Sequence, residues 1–562
     1  MMSRAGIFVA CLVLGCWTAS YALVSKLGIL STGDFRLLPP WLWITYFYRY
    51  GQQYQTIFYE TMWPIYTSII AGIAGAWLSR LFLSQSKPSI AHGSSRWAHE
   101  SEIIAAGLAN NQGVVLGQSM ESTKLLCHNG PEHVIAIAPT RGGKGVGLVI
   151  PTLFNWPASV VVFDPKGENW HFTSGYRARL GHCLCFDPTS FNTARFNPLR
   201  EIRHGDLEVK DAQNIADIIV DPDGRLESRN HWQNAAHSLL VGTILHVLYD
   251  YPRKSLAGVV DLLTRPGVDF EQALHEMAKS QHQVVQSVAQ EMLNKHIEER
   301  SGVLSTALSL LALFRDPLVA QATDGHDFSI SSLQEKVTSL YLVVPPSDIS
   351  RLRVLLRLIL NQIGRVLTEK QDPNLQRVLF LLDEFPALGR LEFFESALAY
   401  MAGYGLKAFL ICQSLNQLQK AYGERNSILD NCHVRVAFAN NDDQTAKRLS
   451  DLLGEQTLCK QQNSISGARF AMVKHSASTS IIEFGRPLLL PSEINRLPQD
   501  QELILVNGMF PIRAHKVRYY EDPRFTGKVL LPYRLPPKEI ANLSIEASLP
   551  IVEQAKLVGS AL

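Results

Sequence analysis

The sequence predicts an α/β protein built on a mainly parallel, helix-covered β-sheet. The first observation is a strand-length apolar run at residues 134–138, followed by a glycine-bearing turn and an amphipathic segment. The second is an apolar run at 378–382 that ends in two acidic residues. The third is the alternation of further apolar runs with helical segments, which is typical of parallel sheets. The other predicted strands of this kind are 159–163, 183–187, 339–344, 407–412 and 434–439.

The turn after the first strand has the layout of a nucleotide phosphate loop. Residues 138–147 read Ala-Pro-Thr-Arg-Gly-Gly-Lys-Gly-Val-Gly. In such a loop the backbone N–H groups and the helix N-terminus face the anion, and the lysine, here Lys144, reaches the β- and γ-phosphates. The fit to G-x-x-x-x-G-K-[ST] is imperfect, since Ala138 replaces the first glycine and Gly145 replaces the hydroxyl residue. An ordinary strand–turn–helix unit is the alternative interpretation.

The acidic pair strengthens the nucleotide interpretation. Asp383 and Glu384 follow the strand at 378–382, where a carboxylate can serve Mg²⁺ or its water ligands. A second acid beside it can orient or deprotonate an attacking water. A solvated strand end is the alternative for this pair. Taken together, the loop and the acids predict a P-loop ATPase.

Two more strands end in polar residues, and the sequence leaves two possible roles open for each of them. Asp164 ends the strand at 159–163 and either helps to position Mg²⁺ and phosphates or caps the next helix. Gln413 ends the strand at 407–412 and either contacts the γ-phosphate or attacking water, or caps the following helix.

The N-terminus predicts a membrane anchor. Residues 5–24 are uncharged and about long enough to cross a bilayer, and a second apolar stretch covers 62–79. The loop between them is rich in aromatic residues, which prefer the membrane–water boundary. Basic residues follow the second stretch and predict that the remaining chain is cytoplasmic; they are Arg80, Lys87 and Arg96. A cleaved signal peptide is the alternative for the first stretch.

The order of patterns predicts five segments. They are an anchor with a short periplasmic loop at 1–84, a first nucleotide-binding part at 85–204, an all-α domain at 205–331, a second nucleotide-binding part at 332–535 and a tail at 536–562. The all-α segment explains the long separation of Lys144 from Asp383. A hairpin near 114–117 and a terminal strand pair at 503–506 and 512–517 complete the prediction.

Composition adds two limits. The 562 residues include 53 basic and 51 acidic side chains, so no overall positive field indicates nucleic acid, although a local charged channel is compatible with this balance. The eight cysteines lack zinc-type spacing and lie mostly in apolar contexts, which predicts reduced core thiols in a cytosolic body.

The motifs, in this order, resemble the TraG-type coupling proteins of type IV secretion and conjugation, a family of P-loop DNA-translocating ATPases. The likeness covers residues 1 to about 535. The likeness rests on the two apolar stretches and on residues 92–98, 130–134, 138–147, 164–168, 301–308, 382–386, 410–416, 511–513 and 518–524.

The resemblance implies a RecA-like motor domain with an inserted all-α lobe and an N-terminal two-helix transmembrane anchor in the bacterial inner membrane. It implies ATP and Mg²⁺ as cofactors and a homohexameric ring. The implied partners are single-stranded DNA bound to a relaxase, protein effectors, inner-membrane lipid and inner-membrane components of the secretion system. A substrate receptor with little ATP turnover and a chromosome-type DNA pump are the alternative functions.

The resemblance also assigns residues. Lys144 would hold the phosphates, Asp383 the Mg²⁺ shell, Glu384 the water, and Gln413 would sense the γ-phosphate. Because Gly145 provides no hydroxyl, Thr140 or additional water is expected to complete the metal shell. The expected nucleotide-binding loop consists of Pro139, Thr140, Arg141, Gly142, Gly143, Lys144, Gly145 and Val146.

A ring motor of this kind normally takes a cation from a neighbouring subunit to stabilise charge on the phosphates. Lys407, Arg425 and Arg435 are the candidates from sequence, because they lie near the sheet edge or on the next strand. Each is also explained as an ordinary surface charge.

Overall fold

A computed structural model describes residues 4–28, 38–82, 91–224, 229–466 and 476–535 of the chain. The chain forms two compact units. One contains Met1–His92 and Thr457–Phe484, and the other contains Gly93–Gln456 and Gly485–Leu562. The predicted tail at 536–562 lies outside the described residues.

The strands follow the predicted order closely. In chain order they are β1 (Val114–Ser119), β2 (Leu125–His128), β3 (Val134–Ile137), β4 (Ser159–Asp164), β5 (His182–Phe186), β6 (Thr338–Val343), β7 (Val378–Leu382), β8 (Leu406–Cys412), β9 (Val434–Ala437), β10 (Glu455–Ser466), β11 (Ser476–Pro487), β12 (Gln501–Val506) and β13 (Ile512–His515).

The helices connect these strands or precede them. They are α1 (Arg4–Lys26), α2 (Leu42–Tyr50), α3 (Gln55–Thr61), α4 (Trp63–Phe82), α5 (Glu100–Ala105), α6 (Ile150–Asn155), α7 (Glu168–Leu180), α8 (Glu208–Val220), α9 (His231–Asp250), α10 (Leu256–Thr264), α11 (Phe270–Met277), α12 (Gln283–Leu293), α13 (Ile297–Leu310), α14 (Pro317–Asp324), α15 (Ser332–Glu335), α16 (Ile349–Leu367), α17 (Glu392–Ala397), α18 (Leu415–Tyr422), α19 (Ile428–Asn431), α20 (Asp443–Leu453), α21 (Pro491–Asn495) and α22 (Pro523–Thr526).

Eleven strands form one sheet, in the order β2-β1-β13-β12-β9-β3-β8-β7-β4-β6-β5. The seven strands from β9 to β5 are all parallel, whereas β12, β13, β1 and β2 add an antiparallel extension. The central strands β3, β4 and β7 are buried along their whole length, which is why they read as continuous apolar runs. The predicted mainly parallel sheet, the hairpin and the terminal strand pair are confirmed.

The helices α8–α14 lie between β5 and β6 in the chain. Apart from residues 225–228, which lie outside the description, this stretch contains no strand. Side chains from its helices, such as Leu239 and Val285, share one buried apolar cluster with sheet residues such as Leu340. The helical insertion is therefore packed on the sheet, and its separation as a domain at 205–331 stays a prediction.

The first unit contains one helix among the described residues that is long and apolar enough to cross a membrane, at Val9–Lys26. The second predicted span coincides with α4, and its crossing of the membrane stays a prediction. Lys87 lies outside the described residues.

The aromatic residues of the loop between the two stretches differ in exposure, since Trp43 is buried against Phe58 while Tyr48 is 92% exposed. The indole N–H of Trp43 donates to Thr61 Oγ1 at 3.0 Å. The position of these aromatics at a membrane boundary stays a prediction.

Strands β10 and β11 pair as a separate two-stranded sheet that the sequence did not indicate. β10 is rich in Gln and Ser and β11 is rich in Ser, and neither strand shows the regular alternation of apolar and polar residues that marks a half-buried strand. All eight cysteines are free, as predicted.

Arg177 on α7 fastens this helix to the sheet. Its side chain is fully buried and donates to the carbonyl oxygen of Trp156, to the carbonyl oxygen of Ala158 at 2.6 Å and to Ser339 Oγ at 2.8 Å. Buried acceptors need donors, and this guanidinium donates three hydrogen bonds, two to carbonyl groups that precede β4 and one to a hydroxyl at the start of β6.

We expect Arg177→Met to lower the free energy of unfolding by about 3 kcal/mol, because it leaves several buried acceptors without a donor. The midpoint of chemical denaturation of the full chain in detergent measures the change. Arg179→Met, an exposed position on the same helix, is the matched control. Equal midpoints for the two variants would contradict the assignment.

Candidate active site

The site forms where three neighbouring parallel strands end. In the sheet β8 lies between β3 and β7, so the segments that follow these strands meet at one edge. Carboxyl ends of parallel strands are the usual position of ligand sites in such sheets. The edge brings together the predicted phosphate loop, the acidic pair and Gln413.

Lys144 lies between the two acids. Its ammonium nitrogen is 2.9 Å from Asp383 Oδ1 and also forms an ion pair with Glu384 Oε1. Burial lowers the pKa of Lys144, but the two carboxylates outweigh this effect and raise it overall. Burial raises the pKa of Asp383, although Lys144 opposes that shift. The lysine is therefore held by carboxylates where an incoming phosphate would compete for it.

Gln413 connects the acidic pair to the loop. Its amide nitrogen donates to both oxygens of Glu384, at 3.0 and 3.1 Å, and its amide oxygen accepts from Thr140 Oγ1 at 2.9 Å. The alternative of a helix cap does not hold for Gln413, because Ser414 is the residue that caps α18. Lys144, Asp383, Glu384, Gln413 and Thr140 thus form one contact network.

Glu384 has an unusual backbone. Its φ of 54° and ψ of 43° lie in the left-handed region, which non-glycine residues rarely adopt. Strained conformations of this kind concentrate at functional sites.

The backbone of the loop departs from regular helix geometry. Gly143 has a φ of 87°, which favours glycine, and the chain enters the following helix through a π-helical turn at Gly145–Val149. A Cβ at Gly145 would meet no atom within 4 Å. Glycine at this position is therefore not required by packing, and the missing hydroxyl is a chemical feature of the loop.

Asp164 belongs to the helix rather than to the network around Lys144. Its Oδ2 accepts from the Trp170 N–H at 2.8 Å and its Oδ1 accepts from Asn169 Nδ2 at 3.3 Å. Of the two interpretations from sequence, these contacts favour stabilisation of the start of α7. Burial raises the pKa of Asp164 to about 6, against the backbone hydrogen bonds that lower it.

Lys516 contacts the glycine-bearing loop, which the sequence did not predict. Its ammonium donates to the Gly142 carbonyl at 3.0 Å and lies 3.7 Å above the centre of the Phe438 ring. It follows β13 at the far end of the chain, and only the topology shows that this end reaches the loop. Val517 O lies 3.1 Å from the position that a Cβ on Gly147 would occupy, so the same segment lines the loop helix.

The structure removes two of the three candidates for a cation that acts across subunits. Lys407 is 1% exposed at the start of β8, and its ammonium donates to the Gly130 carbonyl at 2.8 Å beside His128 Nδ1. Burial lowers the pKa of Lys407 to about 7. Arg435 donates to the carbonyl oxygens of Leu429 and Cys432 within its own subunit. Lys407 and Arg435 are therefore structural, whereas Arg425 is exposed.

The raised pKa of Asp164 predicts a pH effect on stability. The carboxyl of Asp164 stays protonated up to about pH 6 in the folded chain, whereas its ordinary pKa is 3.8. The free energy of unfolding should therefore fall by up to about 3 kcal/mol as the pH rises from about 4 to 6. Asp164→Asn, which carries no charge, should remove this part of the pH dependence. Denaturation midpoints from pH 4 to 7 test it, with exposed Asp206→Asn as control. Parallel curves for wild type and Asp164→Asn would contradict it.

Known proteins resemble this chain in sequence over most of its length. The model of the family described as type IV secretory system conjugative DNA transfer matches residues 96–540. A conjugal transfer protein TraG of Escherichia coli is 38% identical over 556 residues, which cover 88% of this chain and 87% of the relative. Protein VirD4 of Agrobacterium fabrum is 31% identical over 453 residues, which cover 77% of this chain and 66% of the relative.

Solved structures of the bacterial conjugative coupling protein TrwB share the fold. Its trigonal form with sulphate aligns with a TM-score of 0.58 at 18% identity, over 79% of this chain and 99% of that one. A TrwB complex with the ATP analogue ADPNP aligns with a TM-score of 0.57, also at 18% identity, over 79% of this chain and 98% of that one. On the match of residues 96–540 and the identity to TraG, the chain belongs to the type IV secretory conjugative DNA transfer family of coupling proteins.

Proposed function

We propose that this coupling protein hydrolyses ATP at the edge formed by Lys144, Asp383, Glu384 and Gln413, and uses the energy to move single-stranded DNA. The observation that carries the proposal is the placement of Lys144 between two carboxylates. A lysine in this position can exchange its carboxylate partners for the β- and γ-phosphates of a nucleotide.

The residues present fit ATP and Mg²⁺. The loop from Pro139 to Val146 would surround the phosphates with its N–H groups. Once Lys144 turns to the phosphates, Asp383 is free to enter the Mg²⁺ shell, with Thr140 or water at the place of the missing hydroxyl ligand. Bound Mg²⁺ would neutralise charge on the β- and γ-phosphate oxygens. TrwB has been solved with ADP and Mg²⁺, which supports the same pair of ligands here.

Glu384 is suited to act on the attacking water. Once released from Lys144, its carboxylate would still be held by the Gln413 amide, whose nitrogen donates to the two oxygens at 3.0 and 3.1 Å. A carboxylate oriented in this way can accept a proton from water. Because Gln413 also contacts Thr140 on the loop, it can report the presence of a γ-phosphate to Glu384.

We infer that α1 and α4 anchor the chain in the bacterial inner membrane, with the sheet in the cytoplasm where ATP is available. The apolar composition of both helices supports this arrangement. We further infer a homohexameric ring that receives relaxase-bound single-stranded DNA, protein effectors or both, and passes them to inner-membrane components of the secretion system. The family description, conjugative DNA transfer, and the relatives' names, conjugal transfer protein and coupling protein, support DNA as a cargo. The ring, the relaxase and the protein effectors rest on the resemblance to TraG-type coupling proteins.

Lys144→Ala should abolish ATP hydrolysis by the full chain in lipid nanodiscs, and DNA transfer in cells, because the phosphates lose their lysine contact. Hydrolysis is measured with and without single-stranded DNA, which we expect to stimulate the wild type. Lys447→Ala, an exposed position on α20, is the control. Normal transfer by Lys144→Ala would contradict the motor function.

Glu384→Gln should separate binding from hydrolysis. We expect the rate to fall by roughly 10²- to 10⁴-fold, as for loss of a general base. We expect ADPNP to bind at least as tightly, since the amide competes less for Lys144 and repels phosphate less. Fluorescent nucleotide titration and phosphate release measure the two effects, with exposed Glu392→Gln as control.

A wild type that binds nucleotide without hydrolysing it, with or without DNA, would instead favour a substrate receptor in which ATP is a structural ligand. The absence of a hydroxyl at Gly145 is the feature that makes this outcome worth testing.

A further inference from the structure

Arg141 has a backbone conformation that a non-glycine residue adopts only at a cost. Its φ is 62°, and among the described residues only Thr123 and Glu384 share a positive φ without being glycine. Glycine adopts this conformation freely and is the usual residue where it is required. Two of these three residues, Arg141 and Glu384, lie at the candidate active site.

The side chain of Arg141 is free to reach a ligand. It is exposed, and it makes no hydrogen bond or ion pair with any part of the chain that the structure describes. The neighbouring cations are engaged, since Lys516 holds the Gly142 carbonyl and Arg435 holds two carbonyls of its own subunit. Arg141 is thus a cation three residues before Lys144 with no structural partner.

Such a charge accelerates phosphoryl transfer. In hydrolysis the water oxygen forms a bond to the γ-phosphorus, and the bond from that phosphorus to the bridging oxygen breaks. The electron pair of that bond leaves with ADP, and the proton of the water passes to Glu384. Negative charge redistributes over the phosphate oxygens in this step, and a guanidinium stabilises it, supplied either by the same subunit or by another.

We propose that the Arg141 guanidinium supplies this charge within its own subunit, by folding over the loop onto the γ-phosphate and bridging oxygens. The proposal rests on the ATP hydrolysis proposed above and deepens it. Of the three candidates for a contact from a neighbouring subunit, Lys407 and Arg435 are not free, and the mixed-subunit experiment below separates Arg141 from the exposed Arg425. It also gives a reason for an arginine, rather than a glycine, at a left-handed position of the loop.

Arg141→Gly is the discriminating variant. Glycine is the residue that best tolerates a φ of 62°, so the loop should keep its shape while the guanidinium is removed. We expect the turnover number to fall on the order of 10³-fold, as for the loss of a catalytic arginine. We expect unchanged affinity for ADPNP and a weaker affinity for ADP with aluminium fluoride, a mimic of the transition state. Arg141→Lys should recover part of the rate.

Thr123→Gly is the matched control. It removes the same kind of backbone strain at the turn between β1 and β2, and it should leave turnover unchanged. Mixtures of Arg141→Gly with Lys144→Ala subunits, co-purified through two tags, test where the charge acts. If Arg141 acts within its own subunit, the mixture hydrolyses no more than its separate components.

Three outcomes would overturn the proposal. They are turnover by Arg141→Gly close to that of the wild type, a loss of ADPNP affinity that accounts for the whole effect, and rescue of hydrolysis in mixed assemblies, which would place the charge in a neighbouring subunit. In each of these the wild type still hydrolyses ATP. A wild type without hydrolysis would instead remove the proposed function itself.

Discussion

The ammonium of Lys144 and the carboxylates of Asp383 and Glu384 join two segments that are far apart in the chain. Charges of opposite sign at this partly buried edge attract each other more strongly than they would in water, and each would be costly to leave unpaired there. The same property makes the contact exchangeable, because a nucleotide phosphate offers Lys144 an alternative anion. In this account nucleotide binding therefore releases two carboxylates, one for the metal and one for water.

The parallel sheet is the condition for that contact. Since β3, β8 and β7 are neighbours and all point the same way, the residues that follow them meet within hydrogen-bonding distance. The strands themselves are buried on both sides and leave no side chain free for chemistry. The residues available for chemistry are therefore those that directly follow the strands. The long helical insertion lies between β5 and β6, away from these residues in the chain.

Most of the sheet and the members of the Lys144 network could be predicted from the sequence. Long apolar runs define buried strands, and polar residues at their ends are placed by the rule that parallel strands share a carboxyl edge. Asp383, Glu384 and Gln413 follow from that rule. The antiparallel extension was recognisable only as a hairpin and a terminal strand pair, since the pairing of β1 with β13 joins opposite ends of the chain.

Other features depend on tertiary contacts that a local pattern does not contain. Lys407 sits on a strand next to the site, and only its burial beside His128 shows that it is structural. Lys516 contacts the loop from the last strand of the sheet, and no motif marks it. The left-handed backbone of Arg141 and Glu384 is likewise invisible in the sequence, because neither residue type favours it. Polar strands such as β10 give no periodic signal at all.

The most direct test of the central claim is an experimental structure of the full chain with ADPNP and Mg²⁺. We predict that the Lys144 ammonium leaves Asp383 and Glu384 for the β- and γ-phosphates, while Gln413 stays bound to Glu384 and Asp383 faces the metal. A nucleotide bound elsewhere, or at the loop with both carboxylate contacts of Lys144 intact, would contradict it.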